Sequence, residues 1–175
     1  MFDGDTGVFK VIKLRNKNPL CCVCGDEPTQ TTLIDYTLFC GSGPNDKARN
    51  LKVLEVENRI TVQEYHSISQ TPHLLIDVRQ EIQYRICSLP NSVNIEYKRI
   101  EHKFEKIQGL IEEVGVKSGL RNERVPVYVI CRRGNDSQLA VNLMKRTYFS
   151  NQSVLKDIIG GISQWNQIEK GFPVY

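Results

Sequence analysis

From residue 59 to residue 170, short apolar runs alternate with stretches of helical spacing. That alternation restricts the possible folds more than any other feature of the chain. Residues 73–78 (HLLIDV), 93–95, 125–130 (VPVYVI) and 154–159 read as buried strands. Leu89-Pro90-Asn91-Ser92 makes a turn into the second of them. Between the strands, Ile100, Phe104, Ile107, Ile111 and Val114 recur at helical spacing, with Gly115 placed to close that helix. A second helix is expected over 137–147, with Leu139, Leu143 and Met144 on its apolar face. Shorter helices are expected over 80–86 and 162–170. Thr61 with Glu64 three residues later forms a capping box for a helix that opens the series. Strands alternating with helices predict an α/β domain with a parallel sheet covered on both faces. Ligands of such sheets bind beyond the carboxyl ends of the strands.

One strand end carries distinctive chemistry. The run 125–130 is followed by Cys131-Arg132-Arg133-Gly134-Asn135-Asp136, and the helical pattern resumes at Ser137. A thiol between a strand end and a helix start lies near unpaired N–H groups, which favour negative charge. Arg132 and Arg133 add positive charge, the setting a reactive thiolate needs. A cysteine at a strand end is often simple core packing, but an inert one needs neither the arginines nor the glycine. Gly134 permits a tight turn, and Asn135 and Asp136 are suited to cap the following helix. Asp136 would oppose a neighbouring thiolate and is assigned to capping. His66, His73 and His102 are scattered and read as structural or surface residues, and Trp165 as core.

The first part of the chain is organised differently. Residues 8–14 (VFKVIKL) read as a strand, and residues 33–40 as a short helix ending at Gly41. Gly41-Ser42-Gly43-Pro44-Asn45-Asp46 is the clearest break. The division expected is 1–44, a connection over 45–57, and a domain over 58–175. Cys21-x-x-Cys24 has the spacing of a zinc half-site, and two more ligands are needed to close a tetrahedral structural site. A redox pair is the alternative, but it lacks the βαβ context.

Six cysteines at uneven spacing, with no apolar leader in Met1-Phe2-Asp3-Gly4-Asp5, lead to the expectation of a reducing, cytosolic compartment. No apolar run approaches the length that spans a bilayer. The net charge of +3 is too small to argue for direct nucleic-acid binding. Residues 58–175 hold 16 Lys/Arg against 12 Asp/Glu, so the basic excess lies on the part that carries Cys131. That balance favours an anionic substrate or an acidic partner no more than it favours a solvated face.

Residues 58–175 resemble a rhodanese domain, the sulfurtransferase fold. The resemblance rests on Asp77-Val78-Arg79, on Leu89-Pro90-Asn91-Ser92-Val93-Asn94-Ile95, on the six-residue loop from Cys131 to Asp136, and on Gly160-Gly161-Ile162-Ser163-Gln164-Trp165. With Cys21-Cys22-Val23-Cys24-Gly25, Asp35-Tyr36, Phe39-Cys40-Gly41 and Phe172-Pro173-Val174-Tyr175, the whole chain is similar to the C-terminal part of the adenylyltransferase/sulfurtransferase family. That family activates ubiquitin-like sulfur carriers. The resemblance implies a rhodanese-like sheet preceded by a short remnant of an E1-like adenylation domain. It implies a persulfide on Cys131, with Arg132, Arg133, Gly134, Asn135 and Asp136 as the active loop and Asp77 and Arg79 as structural support. Its implied partners are a ubiquitin-like sulfur carrier, a cysteine desulfurase or other sulfur donor, and the adenylation domain. Its implied roles are tRNA wobble-uridine 2-thiolation and sulfuration of molybdopterin synthase. Zinc is implied at Cys21 and Cys24 with a second C-x-x-C outside this chain, and ATP only in a longer parent. The chain has no G-x-G-x-x-G, so adenylation is not credited to it, and it is expected to be a fragment, a short isoform or an incompletely read gene. Cys87 is a candidate resolving thiol but reads mainly as core.

Two other functions are weighed. Some Cys-dependent phosphatases share the rhodanese fold but need an Arg after Cys and five residues. Here Ser137 stands in that place, so bidentate phosphate binding is lost. A non-catalytic docking module is the other, and the intact loop argues against it.

Overall fold

The computed structural model describes residues 1–41, 51–147 and 149–173, and divides into two units, Met1–Ala48 and Arg49–Tyr175. Residues 45–50 of the connection expected over 45–57 lie outside the described residues, and 51–57 fall in the second unit. In the first unit, β1 (Phe2–Asp3) pairs antiparallel with β2 (Val8–Phe9). The strand expected over 8–14 therefore stops at Phe9. β-Propensity alone does not make a strand without a neighbour to pair with, and Val11 and Leu14 stand almost fully exposed. The helix expected over 33–40 is α1 (Tyr36–Cys40). It starts late because the Asp35 carboxylate accepts from the Thr37 and Leu38 N–H groups, and it ends as expected at left-handed Gly41.

The second unit is a five-stranded sheet. Its strands are β3 (Arg59–Ile60), β4 (Leu74–Asp77), β5 (Ser92–Asn94), β6 (Val127–Ile130) and β7 (Leu155–Ile158). The order is β3-β7-β6-β4-β5, and every pairing is parallel. Successive side chains point to opposite faces, and both faces are covered. On one side Leu74, Ile76, Val127 and Val129 join Phe104, Ile107 and Ile111 of α4 (Phe104–Ser118) and Val141 and Met144 of α5 (Asp136–Arg146). On the other, Leu75, Tyr128, Ile130 and Ile158 join Tyr65 of α2 (Val62–Ile68) and Ile162 and Trp165 of α6 (Gly161–Trp165). The short helix after β4 is α3 (Glu81–Ile86).

Three helix boundaries differ from expectation. Helix α4 runs through Gly115 and closes at left-handed Gly119. Gly115 is instead a contact point, where an added Cβ would come within 3.0 Å of the Leu120 carbonyl oxygen and the Asn122 side chain. Ile100 lies in a separate 3₁₀ turn, Tyr97–His102. Helix α5 buries Ala140, Val141 and Met144, whereas Leu139 and Leu143 are only half-buried. Helix α6 ends at Trp165, where the chain tightens into three-residue turns, Gln167 N–H to Gln164 O and Ile168 N–H to Trp165 O.

The capping box of α2 forms as expected. Glu64 N–H donates to Thr61 Oγ1 at 3.2 Å and Thr61 N–H donates to Glu64 Oε2 at 2.9 Å. Thr61→Ala should lower unfolding free energy by about 1 kcal/mol in urea titration, and Thr61→Ser should restore most of it.

Candidate active site

Strand β6 is buried along its whole length between β4 and β7, and it delivers Cys131 at its carboxyl end. Cys131 is 3% exposed. The loop folds back so that Gly134 N–H points at Cys131 Sγ, 3.1 Å away. Gly134 adopts φ +80, and a Cβ there would lie 2.7 Å from Gly160 N, so both the turn and the packing demand glycine. The Gly160-Gly161 turn braces the loop from beneath. Ile162 N–H donates to Cys131 O and Ser163 N–H to Arg132 O, each at 2.9 Å. A Cβ on Gly161 would stand 2.1 Å from Cys131 O. Gly161→Ala should therefore displace the loop and change the rate of Cys131 alkylation by about tenfold to a hundredfold, the scale of a 1 Å misplacement. An iodoacetamide time course followed by peptide mass spectrometry reads this directly.

A second set of residues holds the loop from its flanks. Arg59 on β3 pairs with buried Asp157 on β7, Nε to Oδ1 at 2.8 Å and a terminal nitrogen to Oδ2 at 3.0 Å, and the same nitrogen reaches Gly134 O at 3.5 Å. Ser137, fully buried, hydrogen-bonds the Asp157 carboxylate and lies 3.4 Å from Cys131 Sγ. Burial pushes the Asp157 carboxyl above the usual range, and the Arg59 and Ser137 hydrogen bonds oppose that rise. Gln138 donates to Gly134 O at 2.7 Å and Leu51 O at 2.9 Å, and accepts from Val53 N–H at 3.1 Å. Residues 51–53 are thus strapped against the loop.

The residues singled out in the sequence are not all brought to the sulfur. Asn135 stands at the N-cap of α5 but makes no side-chain cap bond, which corrects its expected role. Its Oδ1 accepts from Leu51 N–H at 3.1 Å instead. Asp136 is exposed in the first turn of α5, where a carboxylate suits the helix dipole. Arg133 is exposed and Arg132 half-buried. Asp77 and Arg79 form a buried ion pair, with Arg79 Nε 2.9 Å from both carboxylate oxygens, and Arg79 also donates to Cys87 O at 2.7 Å. Asp77 lies in register with Ile130, the residue before Cys131, so the pair stiffens the neighbouring strand end. Cys87 is buried and donates to Pro173 O at 3.7 Å. Ser137, Gln138, Arg59 and Asp157 were not foreseen. The one signal was a carboxylate inside an apolar strand run, 154–159.

On the same rim, past β5, a groove of about 410 Å³ carries Arg85, Arg99, Lys103 and Lys106 against Glu81 and Glu96. In the first unit, the Cys21 and Cys24 thiols hydrogen-bond each other, and the N–H groups of Val23, Cys24 and Gly25 turn toward the Cys21 sulfur. These bonds hold the Cys21 thiol below its usual range, while the neighbouring sulfur raises Cys24. Two adjacent thiols, one of them more readily ionised than a free cysteine, fit half of a tetrahedral zinc site. Cys22 and Cys40 are exposed, and no cluster of three or more metal-binding side chains occurs among the described residues.

Comparison with known proteins agrees with this geometry. Over its whole length the chain is 39% identical to adenylyltransferase and sulfurtransferase MOCS3 of Bos taurus and 41% identical to that of Drosophila virilis. It spans only 40% and 37% of those relatives. Among solved structures, reduced Bacillus anthracis CoADR-RHD shares the fold at a TM-score of 0.50 and 19% identity, covering 67% of this chain and 18% of that one. A family model described as Rhodanese-like domain matches residues 61–168, from the α2 cap through the brace of the Cys131 loop. With a parallel sheet, a cysteine cradled at the end of its central strand and that match, the chain belongs to the rhodanese-like domain family.

Proposed function

We propose that this chain is a rhodanese-type sulfurtransferase in which Cys131 carries sulfur as a persulfide. The observation that carries the reading is Cys131 itself, held at a strand end with Gly134 N–H aimed at its sulfur. The sulfurtransferase named among the relatives supports it. In loading, the Cys131 thiolate attacks the outer sulfur of a donor such as thiosulfate. An S–S bond forms and sulfite leaves with the electron pair. In the sulfur-relay role, the outer sulfur of the persulfide attacks the acyl-adenylate at the C-terminus of a ubiquitin-like carrier. AMP leaves, an acyl disulfide forms, and a second thiol releases the thiocarboxylate while itself becoming disulfide-bonded to Cys131.

The partners in this reading are the carrier, a cysteine desulfurase or other donor, and an adenylation domain on another polypeptide segment, which alone would use ATP. The roles are tRNA wobble-uridine thiolation and molybdopterin synthase sulfuration, in the cytosol. The rim groove with Arg85, Arg99, Lys103 and Lys106 suits an acidic carrier surface. Zinc at Cys21 and Cys24 would be structural, tying the first unit to two ligands beyond this chain. Arg132 and Arg133 serve to attract the anionic donor. Mass spectrometry of the full chain after thiosulfate or desulfurase treatment tests the reading. One added sulfur on the peptide containing Cys131 is expected, and an unmodified Cys131 overturns it.

A further inference from the structure

The hydroxyl of Ser137 lies between two acceptors with opposite demands. On one side is Cys131 Sγ at 3.4 Å, and on the other the Asp157 carboxylate. A serine hydroxyl has a single proton to donate, and Ser137 is fully buried, so water does not replace it. Asp157 is itself fixed by the two bonds from Arg59, which also touches Gly134 O, and Gly134 N–H completes the circuit back to the sulfur. An ion pair serving only to join β3 to β7 is replaceable by apolar packing at little cost. This one is instead closed through the nucleophile.

Resting on the sulfurtransferase reading, we propose that Ser137 is a catalytic hydrogen-bond donor that alternates between Asp157 and Cys131 during the sulfur cycle, with Asp157 and Arg59 as its positioning residues. The chemistry requires such a change of partner. In the loaded state Cys131 Sγ is bonded to a second sulfur and the negative charge rests on that outer atom. The Ser137 proton then stays on Asp157. In unloading to cyanide, carbon bonds to the outer sulfur, the S–S bond breaks, thiocyanate departs, and the electron pair returns to Cys131 Sγ. The hydroxyl turns to this new thiolate, and a hydrogen bond to an ionised group is among the stronger ones available. Loading reverses the turn. The charged groups on the elements packed around Cys131 are Arg132 and Arg133 in the loop, Asp136, Lys145 and Arg146 on α5, Asp77 and Arg79 on and after β4, Lys156 and Asp157 on β7 and Arg59 on β3.

The test follows alkylation of Cys131 by iodoacetamide across pH, resolved by peptide mass spectrometry, and the rate of sulfur release to cyanide. Ser137→Ala should move the alkylation profile to higher pH and slow release about tenfold, the loss of one charge-assisted hydrogen bond. Ser137→Thr should restore both. Asp157→Asn, which keeps the shape but weakens the competing acceptor, should move the profile to lower pH. Opposite displacements support the proposal; an unmoved profile in a folded Ser137→Ala protein, or displacements in the same direction, overturns it. If alanine prevents folding, the direction seen with Asp157→Asn decides. A wild type that takes up no sulfur would sink the sulfurtransferase reading, while the alkylation profile would still decide the role of Ser137.

Discussion

Cys131→Ala should abolish persulfide formation while leaving the fold intact. In the proposed function the Cys131 sulfur is the one atom of the loop that bonds to the transferred sulfur, and removing such a group costs roughly a thousandfold or more. The side chain is small and buried beside backbone, so its loss leaves only a minor void. Thermal melting of the variant should match wild type, and intact-protein mass after thiosulfate should show no added sulfur. Wild-type loading by the variant would move the chemistry to another thiol, with buried Cys87 and the exposed cysteines of the first unit as the alternatives.

Asp77→Asn should markedly destabilise the second unit. Both carboxylate oxygens engage Arg79, and Asp77 also accepts from the Arg79 backbone N–H at 3.0 Å. Both side chains are essentially sealed from solvent. The amide keeps the shape but removes the carboxylate charge from a buried pair in which both oxygens accept from Arg79, a loss of about 1.5–3 kcal/mol. A urea titration should show the midpoint falling at unchanged slope. A loss under about 1 kcal/mol would mean that the carbonyl of Cys87 and other neutral acceptors suffice for Arg79. Because Val78 N–H donates to Ile130 O, the same variant should also load sulfur more slowly, through a looser strand end beside Cys131.

What was legible in the sequence was local. The Thr61–Glu64 box, the turn before β5, the strand that ends at Cys131 and the glycine at 134 each announce themselves within a few residues, and each forms. What was hidden depends on residues far apart in the chain. Asn135 was matched to the helix it begins, yet a backbone N–H 84 residues away claims its side chain. Gly115 and Gly119 look alike as helix stops, and only the packing against Leu120 and Asn122 decides between them. Ser137 was legible as a missing arginine. Its tie to Asp157 and Arg59 crosses from α5 to β7 and β3, and no local pattern announces it. The first unit misled for the converse reason, because residues 10–14 carry strand propensity without a strand to join.

The strap at residues 51–53 bears on how portable this domain is. The recognisable family signature opens at residue 61, but Leu51 and Val53 already hold Asn135 and Gln138 in place around the loop. A cassette cut at the signature would keep every motif and lose the clamp, leaving the Gln138 amide with Gly134 O but without the backbone of Leu51 and Val53. The boundary of the working part therefore lies about ten residues ahead of the boundary that its sequence advertises.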